Sequence, residues 1–166
     1  MKKIIIILAI IIGVLSLNKY SRIIIPKEAI RFRIIANSND SSDQKLKKEI
    51  VSELEKDLLS RNFKDIKSAR DYFKNNTNKF TNIVDKKLKD NNSNRNFHIN
   101  YGKNYFPEKE YKNIYYPEGE YESLVITLGD GNGKNFWCVL FPPLCLIDEE
   151  EEEYPSIIKS IIDKYF

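Results

Sequence analysis

Apolar and polar residues alternate through Ile30, Arg31, Phe32, Arg33 and Ile34, the period of a strand with one buried face. The following Asn37-Ser38-Asn39-Asp40 ends that strand, because Asn, Ser and Asp side chains bond nearby backbone and favour turns and helix caps. Asp40 with Asp43, or Ser41 with Gln44, has the spacing of a reciprocal cap. Leu46, Ile50, Leu54 and Leu58 then recur every fourth residue, with Val51 and Leu59 widening the stripe, which predicts an amphipathic helix. A second helix is predicted from near Ser68, with Asp71 placed for a capping box and an apolar face of Ala69, Tyr72, Phe73, Phe80, Ile83, Val84 and Leu88. Phe97, Ile99 and Tyr101 alternate around His98 and Asn100 as a second strand. The Tyr- and Pro-rich stretch that follows, to Tyr121, reads as a long loop with irregular strand. Leu124 to Leu128 is a third strand, Gly129 to Gly133 a hairpin turn, and Asn135 to Phe141 the returning strand. Last come an acidic run, Asp148 to Glu153, and a short helix with Ile157, Ile158, Ile161, Ile162 and Tyr165 on one face. This order predicts an α+β domain: a mostly antiparallel sheet with two or three helices packed on one face.

The N-terminus changes the picture. Lys2 and Lys3 precede an apolar run from Ile4 to Leu15, the pattern of a secretory signal. The run is shorter than the ~20 apolar residues of a comfortable membrane span. Cleavage after Ser16 is one reading; an uncleaved anchor, holding the protein to a membrane through residues 4–17, is the other, since isoleucine resumes at Ile23. Three segments result: a hydrophobic signal or anchor over 1–25, an α+β domain over 26–147, and an acidic linker with a short helix over 148–166. The formal charge is +3, and Lys2 and Lys3 supply two of those units. The near-neutral body, with lysines interleaved among acids, argues against a nucleic-acid partner.

Candidate chemistry concentrates in Asn135 to Cys145, which holds the lone tryptophan, both cysteines and Pro142-Pro143. Extended chain would place Cys138 and Cys145 over ~20 Å apart, whereas a disulfide needs Cα atoms about 5.5 Å apart. The chain must therefore reverse at the prolines if the two are paired. Export favours such a staple; two buried thiols are the alternative. A cysteine nucleophile would need a base, and His98 is the only histidine. That order is shared with sortase-type transpeptidases, which also use an arginine after the cysteine; the last arginine here is Arg95. An envelope thiol enzyme is thus a weaker reading, as is a cell-wall or membrane adaptor. Zinc would need short paired spacings that are absent. The segment Gly129 to Asn135 lacks the succession of carboxylates and the distal bidentate Glu of a calcium loop. No phosphate-binding, dinucleotide or hydrolase motif is present, so no cofactor or small-molecule substrate is expected. Trp137 and the clustered tyrosines serve either as core or as contact residues.

Two blocks carry a resemblance. Arg31 to Lys47 is similar to the N-terminal block of the stage II sporulation protein R family, with Asn37, Ser38, Asp43, Gln44 and Lys47 among the matching residues. The stretch around His98 and the run Leu128 to Asp148, with Trp-Cys-Val-x-Phe-Pro-Pro-Leu-Cys, resembles its C-terminal block. Phe136 stands where the family often has a second tryptophan, and Asn39-Asp40 replaces a more usual Asp-Ser. The resemblance implies a non-enzymatic signal, made in the forespore and exported into the space between the septal membranes. There it would activate the membrane-embedded aspartic protease of the mother cell, stage II sporulation protein GA, which processes the sigma-E precursor. Trp137, Asn135, Phe136, Phe141, Pro142 and Pro143 are the candidate contact residues.

Overall fold

The computed structural model describes residues 22–111, 113–146 and 154–166. The leader over 1–21 and the acidic run 148–153 lie outside the described residues. Among those described, no helix is long and apolar enough to cross a membrane.

The domain is α+β, with seven strands and four α-helices described. Its main sheet holds β2 (Ile30–Ile35), β3 (Phe97–Phe106), β6 (Gly119–Leu128) and β7 (Asn135–Phe141), in the order β3-β6-β2-β7. The sheet is mixed: β3–β6 and β2–β7 are antiparallel, but β2–β6 is parallel. The predicted hairpin between β6 and β7 does not form, because β2 occupies the place between them. A smaller sheet, β1 (Ile23–Ile24), β5 (Ile114–Tyr116) and β4 (Lys109–Tyr111), is also mixed. Ile23 to Ile25, which the sequence groups with the leader, are therefore part of the fold, and Ile25 is buried. The Tyr-rich stretch read as loop is largely strand: β3 runs on to Phe106, and β4, β5 and the start of β6 follow.

Three helices pack on one face of the main sheet: α1 (Ser41–Leu59), α2 (Ile66–Asn75) and α3 (Thr77–Asp90). Leu46, Ile50 and Leu54 of α1, Phe73 of α2 and Phe80, Val84 and Leu88 of α3 meet Phe32, Ile34, Leu124, Ile126 and Leu140 of the sheet. Each fully buried side chain of this size stabilises by about 1.5–3 kcal/mol. The single predicted helix over 68–88 is two, broken at Asn76, whose side-chain amide donates to the Tyr72 carbonyl. The cap of α2 is Asp65, not Ser68: the Asp65 carboxylate accepts from the Ser68 N–H, and the Ser68 hydroxyl accepts from the Asp65 N–H. Asp57 ties the helices together, accepting from the Tyr72 hydroxyl at 2.5 Å and from Lys79. Glu122 clamps α2 to the sheet, accepting from Arg70 at 2.8 Å and from the Tyr101 hydroxyl at 2.7 Å. Charge-assisted bonds of this kind contribute about 1.5–3 kcal/mol before allowance for exposure. Arg70 is partly exposed, so Glu122→Gln is expected to cost about 1 kcal/mol, read as a lower urea midpoint.

The opposite face of the main sheet is covered rather than solvated. A second core of Ile25, Ala29, Ile114, Val139, Leu144 and Ile158 joins the small sheet, β7 and the final helix α4 (Tyr154–Tyr165). A third, of Phe106, Tyr121 and Val125, packs against Ile35 and Trp137.

Candidate docking surface

The end of β2 and the loop before β7 are stitched together by the residues of the first sequence block. The backbone N–H groups of Asn132 and Gly133 donate to the carbonyls of Asn37 and Ala36 at 3.0 and 2.9 Å. Asn37 Oδ1 accepts from the Asp130 N–H, and Asn39 Oδ1 from the Lys134 N–H at 2.9 Å. The buried Lys47 ammonium donates to the Lys134 carbonyl and to Gln44 Oε1, both at 2.8 Å, while Gln44 Nε2 donates to the Ser38 carbonyl. Burial, then Lys48 and Lys134, lower the Lys47 pKa from its ordinary value.

Asp43 sits at the centre, 3% exposed. Asn37 Nδ2 donates to it at 2.7 Å, Ser38 Oγ at 2.8 Å and Arg95 Nη2 at 2.9 Å. Desolvation pushes its pKa up, but the bonds from Asn37 and Ser38 and the charge of Arg95 outweigh it, so the carboxyl lies below its ordinary value. The N-cap of α1 is Asp40, which makes no side-chain cap bond, so the predicted Asp40–Asp43 cap does not form, and Gln44, the other predicted cap partner, bonds the Ser38 carbonyl instead. These family-matching residues thus position the loop that leads into β7. Arg95, which completes the set, carries no sequence signal of that role.

β7 distributes the candidate contact residues over two faces. Asn135 opens the strand, exposed to solvent. Trp137 is half-buried on the small-sheet side, edge-on to Phe106 at 5.4 Å, with the Lys109 ammonium 5.3 Å over its ring. Phe136 turns to the helix side against Phe32. A register irregularity at Ile30/Arg31 sends Phe141 to that side too, where it stacks edge-on with Tyr165 at 4.9 Å. Pro142, joined to Phe141 by a cis bond, and Pro143 form the corner, which Cys138 and Cys145 close as a disulfide with Cα atoms 5.4 Å apart. Pro143, Cys145, Leu58, Phe63 and Tyr165 line a small cavity of about 40 Å³ beside it. Trp137 and the Phe141-Pro142-Pro143 corner therefore do not share one surface.

His98 is exposed on β3, opposite Thr127, with β6 and β2 between it and β7. Three strand spacings place it roughly 14 Å across the sheet, far beyond reach of either sulfur. Thiol chemistry with that base has no geometry here. Among the described residues no three His, Cys, Asp or Glu side chains converge as metal ligands.

Arg31 and Arg33 are the site residues that sequence reasoning passed over. On a strand with one wet face they would be solvated; instead Arg31 is 1% exposed. Its guanidinium lies 3.3 Å from the Tyr121 ring centroid and donates to the Pro117 carbonyl at 3.3 Å. Arg33 lies 4.7 Å over Phe106. Desolvation lowers both pKa values from the ordinary guanidinium value, for Arg31 against opposing contributions from Tyr121 and Tyr116. The available signal was the density of aromatics between Tyr101 and Tyr121, enough to roof two cations.

The family model described as stage II sporulation protein R matches residues 26–151. Stage II sporulation protein R of Bacillus subtilis (strain 168) is 36% identical over 128 residues, covering 76% of this chain and 57% of the relative. The chain thus spans just over half the length of that curated relative. No solved structure matches the chain.

Proposed function

The chain belongs to the stage II sporulation protein R family, and from that premise we propose that it is an exported, non-enzymatic sporulation signal. It is made in the forespore, crosses into the space between the septal membranes and activates the mother cell's membrane-embedded aspartic protease, stage II sporulation protein GA. The observation that carries the reading is the family match across the folded domain, which includes both sequence blocks. The basic and apolar N-terminus supports export, as a cleaved signal or as an anchor. The distance between His98 and the disulfide-closed corner supports a ligand over a thiol enzyme.

Of the two faces of β7, the one bearing Trp137 beside the exposed Asn135 is the better contact. The Phe141 side is occupied by Tyr165 and Phe166. Binding acts by favouring the protease's active arrangement, since a ligand shifts an equilibrium only through differential affinity. Truncating an aromatic anchor costs about 2 kcal/mol of binding, roughly thirty-fold. Trp137→Ala is therefore expected to cut sigma-E precursor processing in sporulating cells severely, and Asn135→Ala less so, with export and folding of each variant verified. Undiminished processing by both variants would place the contact elsewhere.

A further inference from the structure

The face around Trp137 carries positive charge that the described residues leave uncompensated. Arg31 and Arg33 lie two apart on β2, on the same side of the sheet, with Trp137 directly opposite Arg33 on β7. Arg31 Nε and Nη2 and Arg33 Nε are buried with no hydrogen-bond partner. No carboxylate among the described residues pairs with either guanidinium. Lys109 adds a third cation at the rim, over the Trp137 ring. The acids nearest in sequence are engaged elsewhere: Glu110 by Arg22 at 2.5 Å and Glu108 by the Tyr115 hydroxyl at 3.1 Å. A buried cation without a counter-charge is costly in a fold. The aromatic roof offsets part of that cost for Arg31, through the ring faces of Tyr121 and Phe106. It leaves the N–H groups unmet, and it keeps the local dielectric low, so the charge is felt at the rim.

We infer that the Arg33–Trp137–Lys109 face, backed by Arg31, docks an acidic peptide segment of the protein's partner. The partly exposed Arg33 and the exposed Lys109 receive its carboxylates, and Trp137 takes an apolar side chain between them. Guanidinium suits this task because its planar fork pairs carboxylates in a bidentate way that an ammonium does not. The inference deepens the signalling reading, on which its biological use rests, by giving the chemistry of the segment that is recognised.

The test uses the purified folded protein and three fluorescein-labelled octapeptides of alternating sequence: Glu-Val, Gln-Val and Lys-Val repeats. Fluorescence polarisation is expected to show binding of the Glu-Val peptide, weakened by added salt, and at least tenfold weaker binding of the other two. Arg33→Gln should weaken the Glu-Val complex at least tenfold, Arg33→Lys less, and the surface variant Lys109→Glu, which leaves the core untouched, several-fold. Equal binding of the Gln-Val peptide, no binding of any peptide, or indifference to both Arg33→Gln and Lys109→Glu overturns the inference. So does binding only to phosphatidylglycerol vesicles with the same Arg33 sensitivity, which would make the face a lipid site. Processing of the sigma-E precursor in cells separates the two readings. Failure of the peptide test alongside intact signalling removes only the acidic-peptide face. Peptide binding in a protein that proves dispensable for processing removes the signalling reading instead.

Discussion

Gly133→Ala is expected to destabilise the domain by about 3 kcal/mol, at the upper end of what overpacking a tight site costs. A β-carbon there would lie 2.2 Å from the Ser38 carbonyl oxygen and 2.9 Å from the Ala36 β-carbon. Neither neighbour is the free end of a flexible side chain. One is backbone and the other a methyl on the buried Ala36, so the loop itself must withdraw. Withdrawal breaks the bond from the Gly133 N–H to the Ala36 carbonyl and pulls on that from Asn132 to Asn37. Gly102→Ala is the control, since its nearest neighbour is 3.8 Å away and its stability should change little. Urea denaturation of the two variants reads the contrast. A Gly133 variant as stable as the parent would mean that the loop is not held against β2.

Asp43→Ala is the second large effect, about 3 kcal/mol at neutral pH, because it strands a cation and two polar donors that meet at one buried carboxylate. Arg95 is about a third exposed, which keeps the figure at the lower end for a broken buried pair. The pH dependence has a definite sign. The Asp43 carboxyl titrates lower in the folded protein than in the unfolded chain, where its pKa is about 3.9. Its contribution is therefore complete above that value and is lost as pH falls through the folded pKa. The stability gap between parent and variant should stay constant from pH 7 to 5 and narrow below about pH 4. A gap that persisted at pH 2 would show that shape, not charge, makes Asp43 matter.

What could be read from the chain was local. The alternation of β2 and the four-residue stripe of α1 are visible because burial on one side writes its period directly into the residues. The break between α2 and α3 was hidden, since Tyr72, Phe73, Phe80 and Val84 keep a helical spacing across Asn76. The Gly129–Gly133 segment has hairpin composition, and Gly129 and Gly131 do adopt positive φ. Turn chemistry, however, cannot reveal that a strand from far upstream has entered between its two arms. The Tyr-rich stretch misled for a related reason: its prolines suggested loop, while it lays Tyr116 of the second sheet, with Phe106 and Tyr121 of the main sheet, over Arg31. For the candidate site, residue matching marked Asn37, Asp43 and Lys47. Only three-dimensional placement shows them bracing the approach to β7, and parts Trp137 from the proline corner.

The central place of β2 has a further consequence. It is made early, yet both its neighbours, β6 and β7, come after three helices and β3. Such non-local pairing is slow to form and cannot begin until the late strands exist. A partly synthesised chain has α1 to α3 but no sheet to receive their apolar faces. Until Gly119–Leu128 has been made, β2 has no partner in the main sheet, and those apolar faces have nothing to close on.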